Sequence, residues 1–180
     1  ENAKYIKSFI GIDPQEVIPN PEHFMGLDLN DSDFEDMNNK LVEILEKQRE
    51  SIIGIGETGM DFYWTKELDN ETEEKSKELQ NKLFLLHINI AEQYQLPLTI
   101  HSRGAESECL DVLTASTSKT KGIFHSFTGT YEQASNIMPL KCKSCGGVLS
   151  SENISMVAGA PVVTCPYCKT TYQLTEEPKW

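Results

Sequence analysis

Residues 52–57, Ile52-Ile53-Gly54-Ile55-Gly56-Glu57, read as a short strand ending in a carboxylate, and the segments on either side of it decide the fold. Three β-branched residues in six favour extended backbone. Downstream, Leu79, Leu83, Leu86, Ile90 and Tyr94 recur at helical spacing inside a long segment from about Glu71 to Gln95. Leu96–His101 (LPLTIH) reads as the next strand, Glu106–Thr114 as a helix, and Gly122–His125 (GIFH) as a further strand. Upstream, Tyr5–Ile12 (YIKSFIGI) reads as the first strand. A Pro-rich loop from Pro14 to Pro21 then leads to a helix over about Asp33–Arg49, with Phe34, Met37, Leu41, Ile44 and Leu45 on one stripe. Tyr131–Met138 predicts one more short helix.

Strand and helix in alternation argue for parallel βα units. On pattern alone an open doubly wound sheet and a closed barrel both fit, and no Gly-x-Gly-x-x-Gly follows any strand to support a dinucleotide fold. A complete (β/α)8 barrel takes about 250 residues. Residues 1–138 supply about four βα units, half of one.

The remaining residues carry a different signature. Cys142-Lys143-Ser144-Cys145 and Cys165-Pro166-Tyr167-Cys168 are two C-x2-C pairs, and nineteen residues separate their inner members. That is the spacing of a zinc ribbon, in which each pair sits on a tight turn and offers two thiolates to one tetrahedral Zn2+. Gly146 and Gly147 supply backbone freedom after the first pair, and Pro166 stiffens the second. Four free thiols or two disulfides are the competing readings, and the paired spacing favours zinc. A four-thiolate site has no open coordination position, so its expected role is structural.

Composition narrows the class. The chain has 180 residues, is 38% hydrophobic and 24% charged, and contains no apolar run near the ~20 residues of a membrane helix. Membrane insertion is therefore not expected. No signal peptide is visible, and the chain opens Glu1-Asn2-Ala3 without Met, so residues upstream are expected. Cys109, outside the pairs, is expected to be an inert buried thiol. Cysteine usage of this kind fits a reducing intracellular compartment: cytoplasm, nucleus or mitochondrial matrix. Charge is uneven: residues 141–180 hold four Lys against three Glu, so with 16 basic and 28 acidic residues overall, residues 1–140 hold 12 against 25. Such a field repels phosphate at long range, so nucleic-acid chemistry here would depend on metal ions and local contacts. The acidic run Glu67–Glu78 reads as a solvated loop and helix start.

Parallel α/β folds place their sites at the carboxyl ends of strands. The four strands end at Asp13, Glu57, His101 and His125, at intervals of 44, 44 and 24 residues. Each interval has room for one helical passage. One carboxylate and two imidazoles are what a hydrolytic divalent metal needs, so Glu57, His101 and His125 are the candidate ligands. His23, in the Pro-rich loop, and His87, inside the long helix, read as an exposed and a structural histidine.

The stretch Gly54-Ile-Gly-Glu57-Thr-Gly-Met-Asp61-Phe-Tyr-Trp64 resembles the signature of the TatD-type metal-dependent deoxyribonucleases. Gln80 to Phe84, Ala91, Leu96-Pro-Leu-Thr-Ile-His101-Ser-Arg103 and His125-Ser-Phe127-Thr-Gly129 continue the likeness, which covers about residues 5–137. The resemblance implies a TIM-barrel hydrolase cleaving phosphodiester bonds in DNA with one or two divalent ions, Mg2+ or Zn2+. By it, Glu57 bridges the metals, His101 and His125 bind one of them, and Arg103 contacts phosphate. The family opens with a His-x-His strand and carries an Asp on a later strand. Neither segment is present here, and Asp13 stands in Ile-Asp-Pro where the family has His-Pro.

The fold expected is thus α/β: a partial (β/α) TIM-barrel-like domain of about four parallel strands over residues 1–138, with a small C-terminal β zinc ribbon over 139–180. Two functional readings follow. One is a TatD-like metal-dependent hydrolase, incomplete or degenerate in this chain, with DNA as partner. The other is a non-catalytic adaptor subunit whose ribbon docks on partners. Both expect protein partner chains to cover the open half-barrel.

Overall fold

Ser8–Ile10 (β1), Ile52–Gly59 (β2), Leu98–His101 (β3) and Gly122–Phe124 (β4) pair in that order as one parallel sheet. This is the four-stranded parallel arrangement that the alternating pattern implies. The structure is a computed structural model and describes residues 6–19, 24–116, 118–125, 127–130, 132–134, 140–149, 151–157 and 160–173. It divides into two compact units, residues 1–128 and 129–180.

Three helices cover one face of the sheet: Asp31–Lys47 (α1), Asn70–Tyr94 (α2) and Glu106–Ala115 (α3). Their apolar stripes explain why. Leu41 and Leu45 of α1, Phe84, Ile88, Ile90 and Ala91 of α2, and Cys109 of α3 bury against Ile52, Ile55, Leu98 and Ile100 of the strands. Asn30 starts α1 through a reciprocal capping box with Asp33, worth about 1 kcal/mol. Asp69 caps α2 by accepting from the Thr72 amide. The acidic run is thus a cap followed by an exposed first turn, where negative charge complements the helix dipole.

Element boundaries differ from expectation for identifiable reasons. At the first strand, Tyr5 lies outside the described residues. Pairing stops at Ile10, because Asp13 and Pro14 open a 3-10 turn over Pro14–Val17. β2 runs two residues past Glu57, held by pairing of Thr58 and Gly59 with Ile100 and His101. Glu57 is therefore inside its strand. β3 begins at Leu98 because Gln95 leaves α2 in the left-handed conformation and the Leu96 amide still bonds the Ala91 carbonyl. Of the helix expected over Tyr131–Met138, residues 132–134 are helical and the rest lies outside the described residues.

Among the described residues of the first unit, no α-helix packs on the opposite side of the sheet. Thr99 pairs with Ile123, and both alternate with residues of the helix-covered face. Ile123 is 66% exposed, and Phe9 and Ile53 are also open.

Among the described residues of the second unit, the strands pair antiparallel. Leu140–Lys141 (β5) pairs with Val148–Leu149 (β6), and Ile154–Val157 (β7), Ala160–Thr164 (β8) and Thr171–Gln173 (β9) form a three-stranded sheet. Its small core is Leu149, Val163, Cys142 and Cys165, with Ile154 and Tyr172 against them.

Candidate metal centre

Three neighbouring parallel strands deliver three ligand-bearing side chains to one point. Glu57 comes from β2, His101 ends β3, and His125 follows β4, its amide extending the ladder to the Ile100 carbonyl at 3.0 Å. Glu57 Oε1 lies 2.7 Å from His101 Nδ1 and 2.7 Å from His125 Nε2. The potential ligand atoms of all three residues lie within 4.8 Å of one another.

The electrostatics of this cluster ask for positive charge. Burial alone would lower the pKa of His101, but the hydrogen bond and charge of Asp61, together with Glu57 and Asp13, raise it. His125 Nε2 is buried and close to the Glu57 carboxylate, yet that approach lacks hydrogen-bond geometry, which leaves the nitrogen without a bonded partner. A short, off-axis approach of nitrogen to carboxylate suits two donors that face a common cation better than each other. One oxygen and two nitrogens form a donor set that fits a metal ion.

Asp61 is the residue that the strand-end reasoning missed. Its side chain is fully buried; Oδ2 lies 2.9 Å from His101 Nε2, and Oδ1 accepts the Tyr63 amide at 3.0 Å. A carboxylate can only accept, so Nε2 carries the proton and Nδ1 is the nitrogen turned to Glu57. Gln15 Nε2 also donates to Oδ2, at 3.1 Å. Gln80 on α2 fixes the backbone beneath: its Oε1 accepts the Asp61 amide at 2.7 Å and its Nε2 donates to the Asp61 carbonyl at 3.3 Å. The signal was present in Met60-Asp61-Phe62, since an acid between apolar residues next to a buried strand must be partnered. Gly59 matters for the same geometry. At φ +114° beside β3, a Cβ there would lie 2.1 Å from the His101 carbonyl oxygen.

The other candidates divide. Asp13 is not among the clustered ligands: its Oδ1 accepts the Gln15 amide at 2.8 Å and caps the 3-10 turn. Arg103, exposed two residues after His101, lays its guanidinium over the Tyr63 ring at 3.8 Å. His87 is buried in α2, where Nε2 accepts the Ile12 amide at 2.9 Å; burial pushes its pKa down to about 4, partly opposed by the Leu83 carbonyl. It is a neutral, structural histidine. Cys109 is buried, and burial pushes its thiol up to about 12. His23 lies outside the described residues.

In the second unit the four paired cysteines gather. Cys142 Sγ lies 3.6 Å from Cys168 Sγ, and Cys145 Sγ 3.7 Å from Cys165 Sγ. A tetrahedral ion with Zn–S bonds of about 2.3 Å sets sulfurs about 3.8 Å apart, so the cluster has the size of a zinc site. The two turns are built alike. Cys142 N donates to Gly147 O and its carbonyl accepts from Gly146 N, while Cys165 N donates to Thr170 O and its carbonyl accepts from Lys169 N. Gly146 at φ +73° and Lys169 at φ +63° occupy the same left-handed position. Cys168, beside the Thr170 hydroxyl and amide, is lowered to about 6. The Gly147 amide lowers Cys145, but Cys168, burial and the other sulfurs outweigh it and raise the thiol to about 11. Sulfurs this close cannot all ionise without a cation among them.

Comparison with known proteins agrees with this arrangement. The family described as TatD related DNase matches residues 1–160. An uncharacterized metal-dependent hydrolase of Buchnera aphidicola is 33% identical over 104 residues, which is 57% of this chain and 36% of that protein. A second one, from Mycoplasma genitalium, is 32% identical over 136 residues, 76% of this chain and 44% of that protein. The crystal structure of YjjV, a TatD homologue from Escherichia coli K12, superposes with a TM-score of 0.53 at 21% identity, covering 73% of this chain and 42% of that one. The chain thus spans less than half the length of these relatives. With the parallel sheet and the matched span in agreement, the chain belongs to the TatD related DNase family.

Proposed function

We propose that Glu57, His101 and His125 hold a divalent ion in a phosphodiester-hydrolase site of the TatD type, with DNA as the substrate. The observation that carries this reading is the convergence of the three side chains within 4.8 Å from three adjacent parallel strands. Asp61 orients His101. Arg103, with its fork of donors near the same strand ends, takes the phosphate. A bound ion would supply Lewis-acid stabilisation of charge on the phosphoryl oxygens. Imidazole donors favour Zn2+ over Mg2+ in such a set. The four cysteines hold a separate structural Zn2+, and a protein partner covers the exposed side of the parallel sheet.

The His-x-His strand and the late-strand Asp of the family have no counterpart among the described residues. The reading therefore expects metal binding by this chain and negligible DNA cleavage by it alone. No feature of the described residues favours the adaptor reading over this one. Metal content by mass spectrometry tests the proposal. Wild-type protein should carry two classes of ion, Glu57→Ala should lose one, and Cys165→Ser should lose the other. Retention of both ions by Glu57→Ala would remove the basis of the hydrolase site.

A further inference from the structure

The parallel sheet leaves two things unpartnered, its outer edges and one face. Among the described residues, β1 and β4 each pair on one side only, so both outer strands present a row of unpaired backbone groups. All four strands run in the same direction. The face turned away from the helices is apolar and uneven in height. Phe9 is 44%, Ile53 43% and Ile123 66% exposed, on three different strands. Between them lie small positions that hold close approaches. A Cβ on Gly54 would lie 2.2 Å from the Phe9 ring, and one on Gly56 would lie 2.9 Å from the Thr99 Cβ. Large and small positions in alternation are the relief of a barrel interior, where side chains from opposite walls must interleave.

We propose that the occupant of this face is a second copy of the chain, and that two copies close an eight-stranded parallel barrel about a two-fold axis along its centre. The proposal rests on the reading that a protein partner covers the sheet, and it names that partner. Rotation about an axis along the strands preserves their direction. It sets β1 of one copy beside β4 of the other, and the second seam repeats the first. Both open edges and the open face are then satisfied at once, whereas two sheets stacked face to face would leave all four edges bare. Eight is also the strand number at which side chains just fill the interior. Each chain carries a net charge of −12, so the contact is apolar and main-chain in character and works against like-charge repulsion. Because every strand runs the same way, both copies bring Glu57, His101 and His125 to the same mouth of the barrel.

Sedimentation equilibrium on the 180-residue protein, combined with amide hydrogen exchange, tests the proposal. The protein should sediment at twice the chain mass, and association should tighten as salt rises, because salt screens the repulsion between two acidic chains. Exchange should slow at Ser8–Ile10 and at Gly122–Phe124 together as concentration rises, since closure pairs both edge strands. Phe9→Lys and Ile123→Lys replace residues that are exposed in the single chain, so each should fold with native far-ultraviolet circular dichroism and sediment as a monomer. A dimer in which only one edge strand or neither gains protection overturns the barrel, as does any larger assembly. A monomer that binds a hydrophobic dye defeats the second copy and leaves the need for a partner standing. A dye-inert monomer defeats both.

Discussion

Asp61 Oδ2 and His101 Nε2 lie 2.9 Å apart, a link between residues forty positions apart in the chain that fixes which imidazole nitrogen faces Glu57. The carboxylate is fully buried, so the bond is shielded from solvent and the ring is held in one tautomer. Partners of this kind behind a metal-binding histidine raise its basicity and typically carry ten- to a hundredfold of metal affinity.

Asp61→Asn should therefore weaken divalent-ion binding by about ten- to a hundredfold while far-ultraviolet circular dichroism stays native. The amide offers a donor where an acceptor is required, which leaves Nε2 to accept and moves the proton to Nδ1, the nitrogen that faces Glu57. Calorimetric titration with Mn2+ reads the change. An unaltered affinity would mean that His101 needs no orienting partner.

Zinc removal should act on the second unit alone. Cys165→Ser, or a strong chelator, should release one Zn2+ per chain and abolish amide-exchange protection over residues 140–173. Protection in α2 and the parallel sheet should persist. The small buried cluster of Leu149 and Val163 is too slight to hold this unit without the ion. Cysteines recovered as disulfides would contradict the prediction.

Acid stability should carry the imprint of His87. Its folded pKa of about 4 lies below the unfolded value of 6.5, so between these values the unfolded chain binds the extra proton. The contribution is fully present above about pH 6.5 and declines as pH falls toward about 4, by at most about 3 kcal/mol. Urea melts of wild type and His87→Gln across this range provide the check. A variant that is destabilised yet keeps the same slope would assign the effect to another group.

The uncovered sheet face should be adhesive. With Ile123 66% exposed and Phe9 and Ile53 exposed on other strands of the sheet, the isolated chain should self-associate or bind a hydrophobic dye. Ile123→Lys should reduce both effects while leaving the helix-covered core untouched. Light scattering that shows a dye-inert monomer at high concentration would argue that this face needs no partner.

Much of this architecture follows from local pattern. Helical spacing of Leu79, Leu83 and Ile90 placed α2, alternating elements implied parallel strands, and paired cysteines marked the second unit, because each is a relation among residues a few positions apart. Strand termini also pointed to Glu57, His101 and His125, since parallel α/β topology puts such ends on one side. What pattern could not supply was lateral register. The extension of β2 to Gly59, the exclusion of Asp13 from the ligand cluster, the bond from Asp61 to His101 and the stacking of Arg103 on Tyr63 all depend on which residues face one another across strands and loops. That pairing is set by interstrand hydrogen bonds and by packing against α2, so only the assembled tertiary structure decides it.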